Sequence, residues 1–308
     1  MKENNQKAAF IAVVGRPNVG KSSFVNKAVG QKVAIVSSKP QTTRTKIMGV
    51  LTKEETQLVF IDTPGFHRPK TLLGENMIKA VAQGISDVDA AIFVADASRD
   101  YDGEIPAAEE ELLGRLFEKK MPVVLALNKI DLVKDKEQLL PVIMLYTNKY
   151  DFAAVVPLSA KSNDGVDALV GELYQFAKPS PHYFDADTFT DQPERTMVCE
   201  IIREKILRRL DKEVPHGVAV DLERFFEKDD AKGEPLLQVS ATIYCEKESH
   251  KGIVIGKGGA MLKRIGTEAR ADIERFFGCR ANVELWVKVK EDWRNRQGLI
   301  HGFGLDVQ

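Results

Sequence analysis

A glycine-rich run near the start of the chain combines residue types that bind phosphate. The run is Gly15-Arg16-Pro17-Asn18-Val19-Gly20-Lys21-Ser22, and Ser23 follows it. Its glycines let backbone N–H groups turn inward around phosphate oxygens. Lys21 would bring a positive charge to the β- and γ-phosphates, and the Ser22 hydroxyl is placed to ligate Mg2+. We therefore predict a phosphate-binding loop formed by Gly15 and residues 18–23.

A second segment, Asp62-Thr63-Pro64-Gly65, follows the apolar run Leu58–Ile61. A carboxylate at the end of a strand can hold a water bound to Mg2+, and the Gly65 N–H can meet a γ-phosphate. Phosphoryl transfer depends on positioning and charge neutralisation. The two segments together therefore predict a magnesium site at Ser22 and Asp62, with Lys21 and Gly65 in catalytic positions.

Two later segments predict which base is bound. They are Asn128-Lys129-Ile130-Asp131, after the apolar run Val123–Leu127, and Ser159-Ala160-Lys161. A carboxylate at Asp131 can accept hydrogen bonds from guanine N1–H and its 2-amino group, a donor pair that adenine lacks. Asn128 and Lys129 would brace the base and the loop, and a backbone N–H of residues 159–161 would reach the guanine carbonyl. Guanine is predicted, and an ATP-binding protein is the alternative that Asp131 opposes.

These segments need a scaffold that gathers them at one edge. Short apolar runs alternate with amphipathic stretches, which predicts a mainly parallel sheet covered by helices on both faces. The predicted strands are Ala9–Val14, Leu58–Ile61, Ala90–Ala95, Val123–Leu127 and Ala154–Pro157, and the predicted helices are Lys21–Val29, Leu73–Ser86, Glu104–Lys119 and Val166–Ala177. Lys46–Thr52 and Thr56–Ile61 predict an antiparallel hairpin at the sheet edge. Residues 1–178 are thus expected to form an α/β nucleotide-binding domain.

A polar stretch punctuated by Pro179, Pro181 and Pro193 predicts a linker over residues 179–196. Residues 197–289 predict a smaller α+β domain in the order α-β-β-α-α-β, and residues 290–308 a short tail. Its elements are a helix Met197–Leu210, strands His216–Phe226 and Leu236–Cys245, a helix to Ile255, a helix Ala260–Phe277 and a strand Ala281–Val289. Acidic and basic residues interleave over residues 200–210, which predicts an exposed helix with i,i+4 ion pairs.

A glycine turn, Gly256-Lys257-Gly258-Gly259, lies between the last two predicted helices. Residues 251–270 contain one acidic residue, Glu268, and five basic residues, Lys251, Lys257, Lys263, Arg264 and Arg270. The formal net charge of the whole chain is −1, so a polyanion would need such a local patch. A solvated helix face is the plainer alternative.

The element order and the glycine turn resemble a type II KH domain. In KH domains the G-x-x-G loop clamps the backbone of about four single-stranded nucleotides. The resemblance implies RNA contacts from Lys251, Gly256, Lys257, Gly258, Gly259, Lys263 and Arg264.

The ordered motifs of residues 1–178 resemble the translation-factor-related GTPase superfamily. In that superfamily a threonine between the phosphate loop and D-x-x-G closes over Mg2+ and the γ-phosphate. Here Gln41-Thr42-Thr43-Arg44 supplies it, with Thr43 chosen and Thr42 as the fallback. Phe66 stands where many members have a water-orienting glutamine, which implies a hydrophobic-substituted subclass with slow turnover. Asn18 implies a K+ site beside the phosphates, unless Asn18 only shapes the loop.

With Val214-Pro215-His216-Gly217-Val218-Ala219-Val220 added, nearly the whole chain resembles the Era family. These bacterial GTPases bind the 3′ end of small-subunit ribosomal RNA and act in ribosome assembly. The resemblance implies GTP and GDP, small-subunit ribosomal RNA and the small ribosomal subunit as partners. A signalling GTPase whose second domain binds protein or a membrane surface is the competing hypothesis.

Composition agrees with two globular domains: 308 residues, 44% hydrophobic and 29% charged. The three cysteines, Cys199, Cys245 and Cys279, are far apart, so we expect a reducing compartment and neither a disulfide framework nor a zinc site. Apolar runs fall short of the ~18 residues of a spanning helix. We expect a cytoplasmic monomer, and the sequence leaves peripheral contact with the cell membrane open.

Overall fold

The computed structural model describes residues 5–66, 69–230 and 232–306. The first domain contains strands β1 (Lys7–Val14), β2 (Ile47–Lys53), β3 (Thr56–Asp62), β4 (Ala90–Asp96), β5 (Val123–Asn128), β6 (Ala154–Leu158) and β7 (Lys178–Pro179). Its helices are α1 (Lys21–Val29), α2 (Leu72–Gly84), α3 (Ala107–Glu118), α4 (Leu139–Thr147) and α5 (Val166–Leu173). The sequence prediction omitted α4, an apolar helix.

The strands of the first domain pair in the order β2-β3-β1-β4-β5-β6. All neighbours along this path are parallel except β2 and β3, which form the antiparallel edge hairpin. Separate buried apolar clusters cover the two faces of the sheet. The predicted mainly parallel sheet is confirmed. Its topology brings the carboxyl ends of β1, β3, β5 and β6 to one edge, where the nucleotide motifs begin.

The polar stretch after β7 lies along the edge hairpin. The Gln57 side-chain oxygen accepts hydrogen bonds from the backbone N–H groups of Tyr183 and Phe184, at 2.9 and 3.1 Å. The Val50 N–H donates to the carbonyl of Phe189 at 3.0 Å. This connection is therefore packed onto the first domain over much of its length.

The second domain contains α6 (Glu194–Arg209), β8 (Ala219–Asp229), β9 (Pro235–Cys245), α7 (Glu248–Ile255), α8 (Ala260–Phe277) and β10 (Arg280–Val289). Its sheet has the order β10-β9-β8, with β8 antiparallel and β10 parallel to β9. Side chains of α6, α7, α8 and the sheet share one apolar core. The predicted α-β-β-α-α-β order is confirmed, and the first helix begins at Glu194 instead of Met197.

The prediction of an exposed α6 is wrong. Arg203, Glu204 and Lys205 are 2%, 1% and 4% exposed. Their charges meet partners from other elements, since Lys32 Nζ lies 2.8 Å from Glu204 Oε2 and the Val36 N–H donates to Glu204 Oε1 at 2.9 Å. Burial opposes ionisation of Glu204, but these contacts outweigh it and lower the pKa of the carboxyl. Charge alternation along a helix therefore marked a domain interface here.

The carboxyl-terminal segment packs between the domains and contains a helix that the sequence prediction missed, α9 (Gln297–Gly302). Trp293 and Ile300 are fully buried against Leu73 and Met77 of α2 and Ala219 of β8. Over the residues that the structure describes, every helix is too short or too polar to cross a membrane.

Candidate functional site

The phosphate loop joins β1 to α1 through a backbone turn that requires glycine at residue 20. Gly20 has a φ of +103°, and a Cβ added there would lie 2.0 Å from Asn128 Nδ2. Lys21 begins α1 and is 6% exposed, and its Nζ donates to the carbonyls of Gly15 and Arg16 at 3.1 and 2.9 Å. The loop thus holds a buried ammonium group at a helix N-terminus, where phosphate is favoured.

The three side chains predicted to serve magnesium meet at one point. Ser22 Oγ donates to Asp62 Oδ2 at 2.5 Å and lies 2.9 Å from Thr43 Oγ1. Thr43 Oγ1 lies 3.3 Å from the same Asp62 oxygen. Thr42, the fallback, instead bonds Ser37 Oγ and the carbonyl of Lys39. The geometry therefore favours Thr43 over Thr42.

This cluster fits Mg2+. Adjacent ligands of an octahedral magnesium ion, each ~2.1 Å from the metal, are about 3.0 Å apart, and the Ser22 and Thr43 hydroxyls are 2.9 Å apart. Within the described residues, the buried Asp62 Oδ1 has no hydrogen-bond partner. Burial raises the pKa of Asp62 to about 6, although Lys21 opposes the shift, and burial lowers the pKa of Lys21 to about 8 against the effect of Asp62. A bound Mg2+ would place a positive charge beside the Asp62 carboxylate, and a bound phosphate would place a negative charge beside the Lys21 ammonium group.

The guanine motifs are braced against the phosphate loop. Asn128 Nδ2 donates to the carbonyl of Val19 at 2.7 Å, while Asn128 Oδ1 accepts from the Ala160 N–H at 2.9 Å. Lys129 Nζ lies 2.6 Å from Asp96 Oδ2. Asn128 therefore contacts the phosphate loop, in line with the expected bracing role, and it also ties that loop to the segment 159–161, which spacing alone did not predict.

Asp131 is oriented by that same segment. Ser159 Oγ donates to Asp131 Oδ1 at 2.7 Å, and Lys161 Nζ lies 3.8 Å from Asp131 Oδ2. A positioned carboxylate can accept the two guanine donors.

These motifs share one cavity of 380 Å3. Predicted residues on its wall are Asn18, Gly20, Lys21, Ser22, Ser23, Thr43 with its fallback Thr42, Gly65, Asn128, Lys129, Asp131, Ala160 and Lys161. The wall does not include Gly15, Val19, Asp62 and Ser159, but each of them forms a hydrogen bond with a wall residue. Sequence reasoning missed Ile35, Val36, Ser37 and Ser38, which lie in the loop before Thr43 and carry no motif. Asn18 Nδ2 donates to the carbonyl of Ser38 at 2.7 Å, so in this structure the amide links two loops.

Phe66 is turned away from the cavity. Its side chain is 6% exposed and packs with Val81, Ile85 and Leu112, and the Arg115 guanidinium lies 5.2 Å from its ring centroid. Its backbone N–H donates to the carbonyl of Gly15 at 3.1 Å. Phe66 thus contributes a backbone contact beside the phosphate loop while its ring belongs to the core.

The second predicted site lies where the glycine turn meets α8. Gly256, Gly258 and Gly259 have φ values of +72°, +58° and +80°, in the region that favours glycine. Beside the turn, α8 and β10 enclose a groove of 420 Å3 lined by Gly259, Leu262, Lys263, Gly266, Thr267, Arg270, Asn282, Val283 and Leu285. A Cβ added at Gly266 would make ordinary van der Waals contact with Leu285 across the groove, at 3.4 Å. Sequence reasoning missed the β10 wall.

The basic patch is less uniform than its composition indicated. Arg264 pairs with Glu268 at 3.2 Å and Lys251 with Glu248 at 3.7 Å. Within the described chain, Lys257 and Lys263 are exposed and form no ion pair. Lys257 lies within the turn and Lys263 near the start of α8, and these two lysines are the charges most available to a polyanion.

The fold and the two sites define the class as a P-loop GTPase followed by a type II KH domain. Residues 10–129 match the model of the 50S ribosome-binding GTPase family, and residues 213–294 match that of the KH domain.

Similar proteins extend this match over the whole chain. GTPase Era of Ruminiclostridium cellulolyticum is 48% identical over 97% of both chains, and GTPase Era of Clostridioides difficile is 46% identical over 97% of this chain and 98% of its own. Two solved structures match at 34% identity, covering 98% of this chain and 100% of theirs. They are Era with MgGDPNP and nucleotides 1506–1542 of 16S ribosomal RNA, with a TM-score of 0.92, and a variant of Aquifex aeolicus Era with GDP and AlF4−, with a TM-score of 0.91. The chain belongs to the Era family of GTPases, and it hydrolyses GTP.

Proposed function

We propose that this GTPase binds the 3′ end of small-subunit ribosomal RNA through its KH domain and acts in assembly of the small ribosomal subunit. The observation that carries the proposal is the groove between α8 and β10, which opens beside the glycine turn. Lys257 and Lys263 are exposed there and form no ion pair with any residue that the structure describes. Support comes from the solved Era structure that matches this chain with a TM-score of 0.92, which contains nucleotides 1506–1542 of 16S ribosomal RNA.

In the proposed switch, Mg2+ is held directly by Ser22 and Thr43 and through water by Asp62. The ion supplies charge neutralisation at the phosphates. Lys21 and the Gly65 N–H bind the γ-phosphate, while Asp131 selects guanine. With the Phe66 ring in the core, water is oriented by the backbone or by a partner, so intrinsic turnover is slow.

RNA binding is tested with Lys257→Glu in the full chain and an oligonucleotide of the small-subunit RNA 3′ end. Each lost phosphate contact reduces the slope of log K against log salt by ~0.7 for a single strand. We expect weaker RNA binding with a shallower salt dependence and unchanged GTP affinity. Lys232→Glu is the matched control, because Lys232 is exposed in the β8–β9 turn. In that turn Asp230 pairs with Arg280, which follows the opposite end of α8.

RNA affinity that is equal in wild type and Lys257→Glu would contradict the proposed RNA site. Binding of a scrambled oligonucleotide as tightly as the 3′ end would contradict the proposed target. Copurification of the small subunit with wild type, and its loss with Lys257→Glu, distinguishes this function from a signalling GTPase.

We also propose K+ as a second ion at Asn18, at the phosphate loop. The support is the Asn18 side chain on the cavity wall, whose Nδ2 donates to the Ser38 carbonyl and whose Oδ1 is the atom that would ligate K+. Hydrolysis should then be faster in K+ than in Na+ buffer, and Asn18→Ala should remove the difference. Equal wild-type rates in the two buffers would show that Asn18 only shapes the loop.

We propose that the protein acts as a cytoplasmic monomer. Light scattering after size exclusion should give the mass of one chain, 34.3 kDa. Cosedimentation with anionic lipid vesicles would instead place part of the protein at a membrane surface.

A further inference from the structure

The loop that carries Thr43 is held on its amino-terminal side by α6 of the KH domain. The Arg203 guanidinium donates to the carbonyl of Thr42, and its Nη1 lies 3.5 Å from the carbonyl of Gln41. Arg203 is 2% exposed. A buried side chain from the second domain therefore binds the peptide unit that precedes Thr43.

The other side of Thr43 is held by the same domain. Arg44 Nη1 donates to the carbonyl of Val218 at 2.7 Å, and its Nη2 donates to that of His216 at 2.9 Å. Arg44 is 3% exposed. The residues on both sides of Thr43, Thr42 and Arg44, are thus hydrogen-bonded to the KH domain.

Arg203 is itself fixed before it meets the loop. Its Nε donates to Glu200 Oε1 at 2.7 Å, one turn earlier on α6, and a second nitrogen bonds the other carboxylate oxygen. Such a two-point pair orients the guanidinium plane. The nitrogen that makes the second of these bonds, Nη2, also donates to the Thr42 carbonyl, so α6 sets the direction of the contact with the loop.

We propose that Arg203 is a positioning residue for GTP hydrolysis, acting through Thr43. By holding the Thr42 carbonyl it keeps the Thr43 hydroxyl 2.9 Å from Ser22 and 3.3 Å from Asp62. The inference rests on the proposed role of Thr43 at Mg2+. A displacement of about 1 Å at such a group can cost about a hundredfold in rate. Because coupling is reciprocal, closure of Thr43 on the nucleotide also favours this placement of α6.

The experiment uses the full chain with Arg203→Met, which keeps length but removes the donors, and Arg203→Lys, which restores one donor. Arg209→Met is the matched control, because Arg209 lies on α6 and pairs with Glu268 inside the KH domain. Single-turnover hydrolysis is measured with the protein in saturating excess over GTP while Mg2+ is varied. GDP affinity and the thermal midpoint are measured in parallel.

We expect Arg203→Met to slow hydrolysis at least about tenfold and to raise the Mg2+ concentration that gives half the maximal rate. GDP affinity should stay within about twofold, since Thr43 serves the triphosphate state. Arg203→Lys should recover part of the rate, and Arg209→Met should retain the wild-type rate and Mg2+ requirement.

A lower thermal midpoint with an unchanged rate and Mg2+ requirement in both Arg203 variants would overturn the inference, because Arg203 would then only join the domains. The Thr43→Ala variant distinguishes failure of the proposed role of Thr43 from failure of the proposed positioning role of Arg203. If Thr43→Ala hydrolyses GTP normally, the proposed role of Thr43 fails. If Thr43→Ala is slow and Arg203→Lys and Arg203→Met are not, only the positioning role fails.

Discussion

The guanidinium carbon of Arg44 lies 5.6 Å from the centroid of the Trp293 ring. Arg44 follows Thr43, whereas Trp293 lies in the carboxyl-terminal segment and packs on Leu73 and Met77 of α2. A cation over an indole face is attracted by the ring quadrupole, and more strongly when both groups are buried, as they are here. Trp293 therefore contacts the loop of Thr43 and the helix after Gly65 at once.

Replacing Trp293 with alanine should destabilise the protein by about 3–5 kcal/mol, because a fully buried indole is lost. The bond from Trp293 Nε1 to the carbonyl of Gly217, at 2.9 Å, is lost too. Urea unfolding measures the change. Trp286→Ala is the control, since Trp286 is 44% exposed on β10 and should cost much less. Equal costs for the two variants would contradict the packing described here.

Gly20→Ala should weaken GDP binding and lower the thermal midpoint. The new Cβ would lie 2.0 Å from Asn128 Nδ2 at a φ of +103°, so the Asn128 side chain that braces Val19 and Ala160 must move. Gly114→Ala is the matched control, because Gly114 lies within α3 with open space around it and alanine there should gain up to about 1 kcal/mol. Normal GDP affinity in Gly20→Ala would show that the bracing is dispensable.

Asp131 should discriminate between GTP and ITP, which lacks only the 2-amino group. A hydrogen bond to a charged acceptor is worth about 1.5–3 kcal/mol, so wild type should prefer GTP by about tenfold to a hundredfold. In Asp131→Ala the two affinities should converge, because the acceptor is gone. Competition against labelled GDP gives all four values. A preference that survives in Asp131→Ala would assign base recognition elsewhere.

Phe66→Ala should retain single-turnover hydrolysis within about threefold while losing about 3–5 kcal/mol of stability. The reason is that the Phe66 ring packs among Val81, Ile85 and Leu112, away from the phosphate loop. Assays must be run below the lowered unfolding temperature, and Phe66→Leu should restore most of the stability. Abolished hydrolysis with intact GTP binding would give the ring a direct role in the reaction.

The sequence predicted best where function fixes both residue type and spacing. Strand-end motifs such as Asn128 to Asp131 need only the topology of a parallel sheet to converge, and the alternation of apolar runs indicated that topology. The sequence predicted poorly where the environment of a side chain depends on a partner far away in the chain. Glu204 and Arg203 read as a solvated helix face because Lys32 and the Thr42 carbonyl, which meet them, lie in another domain.

The choice between Thr42 and Thr43 needed geometry for a similar reason. Neighbouring hydroxyls in one loop are alike in sequence, and only the turn of the backbone directs Thr43 toward Ser22. Trp293 was missed because a single aromatic residue in a polar tail carries no periodicity. Its burial arises from surfaces of α2 and β8 that come together only in the folded chain.

The connection between the domains also protects the sheet. Strand β2 is the edge of the first sheet, and the unpaired N–H and C=O groups of an exposed edge strand can pair with a strand of another molecule. Here the Met48 N–H donates to Asp191, the Met48 carbonyl accepts from the Thr190 hydroxyl, and the Val50 N–H donates to Phe189. A fragment cut at Lys178 would lose this cover, so it would be prone to self-association through β2 even though its nucleotide motifs are complete.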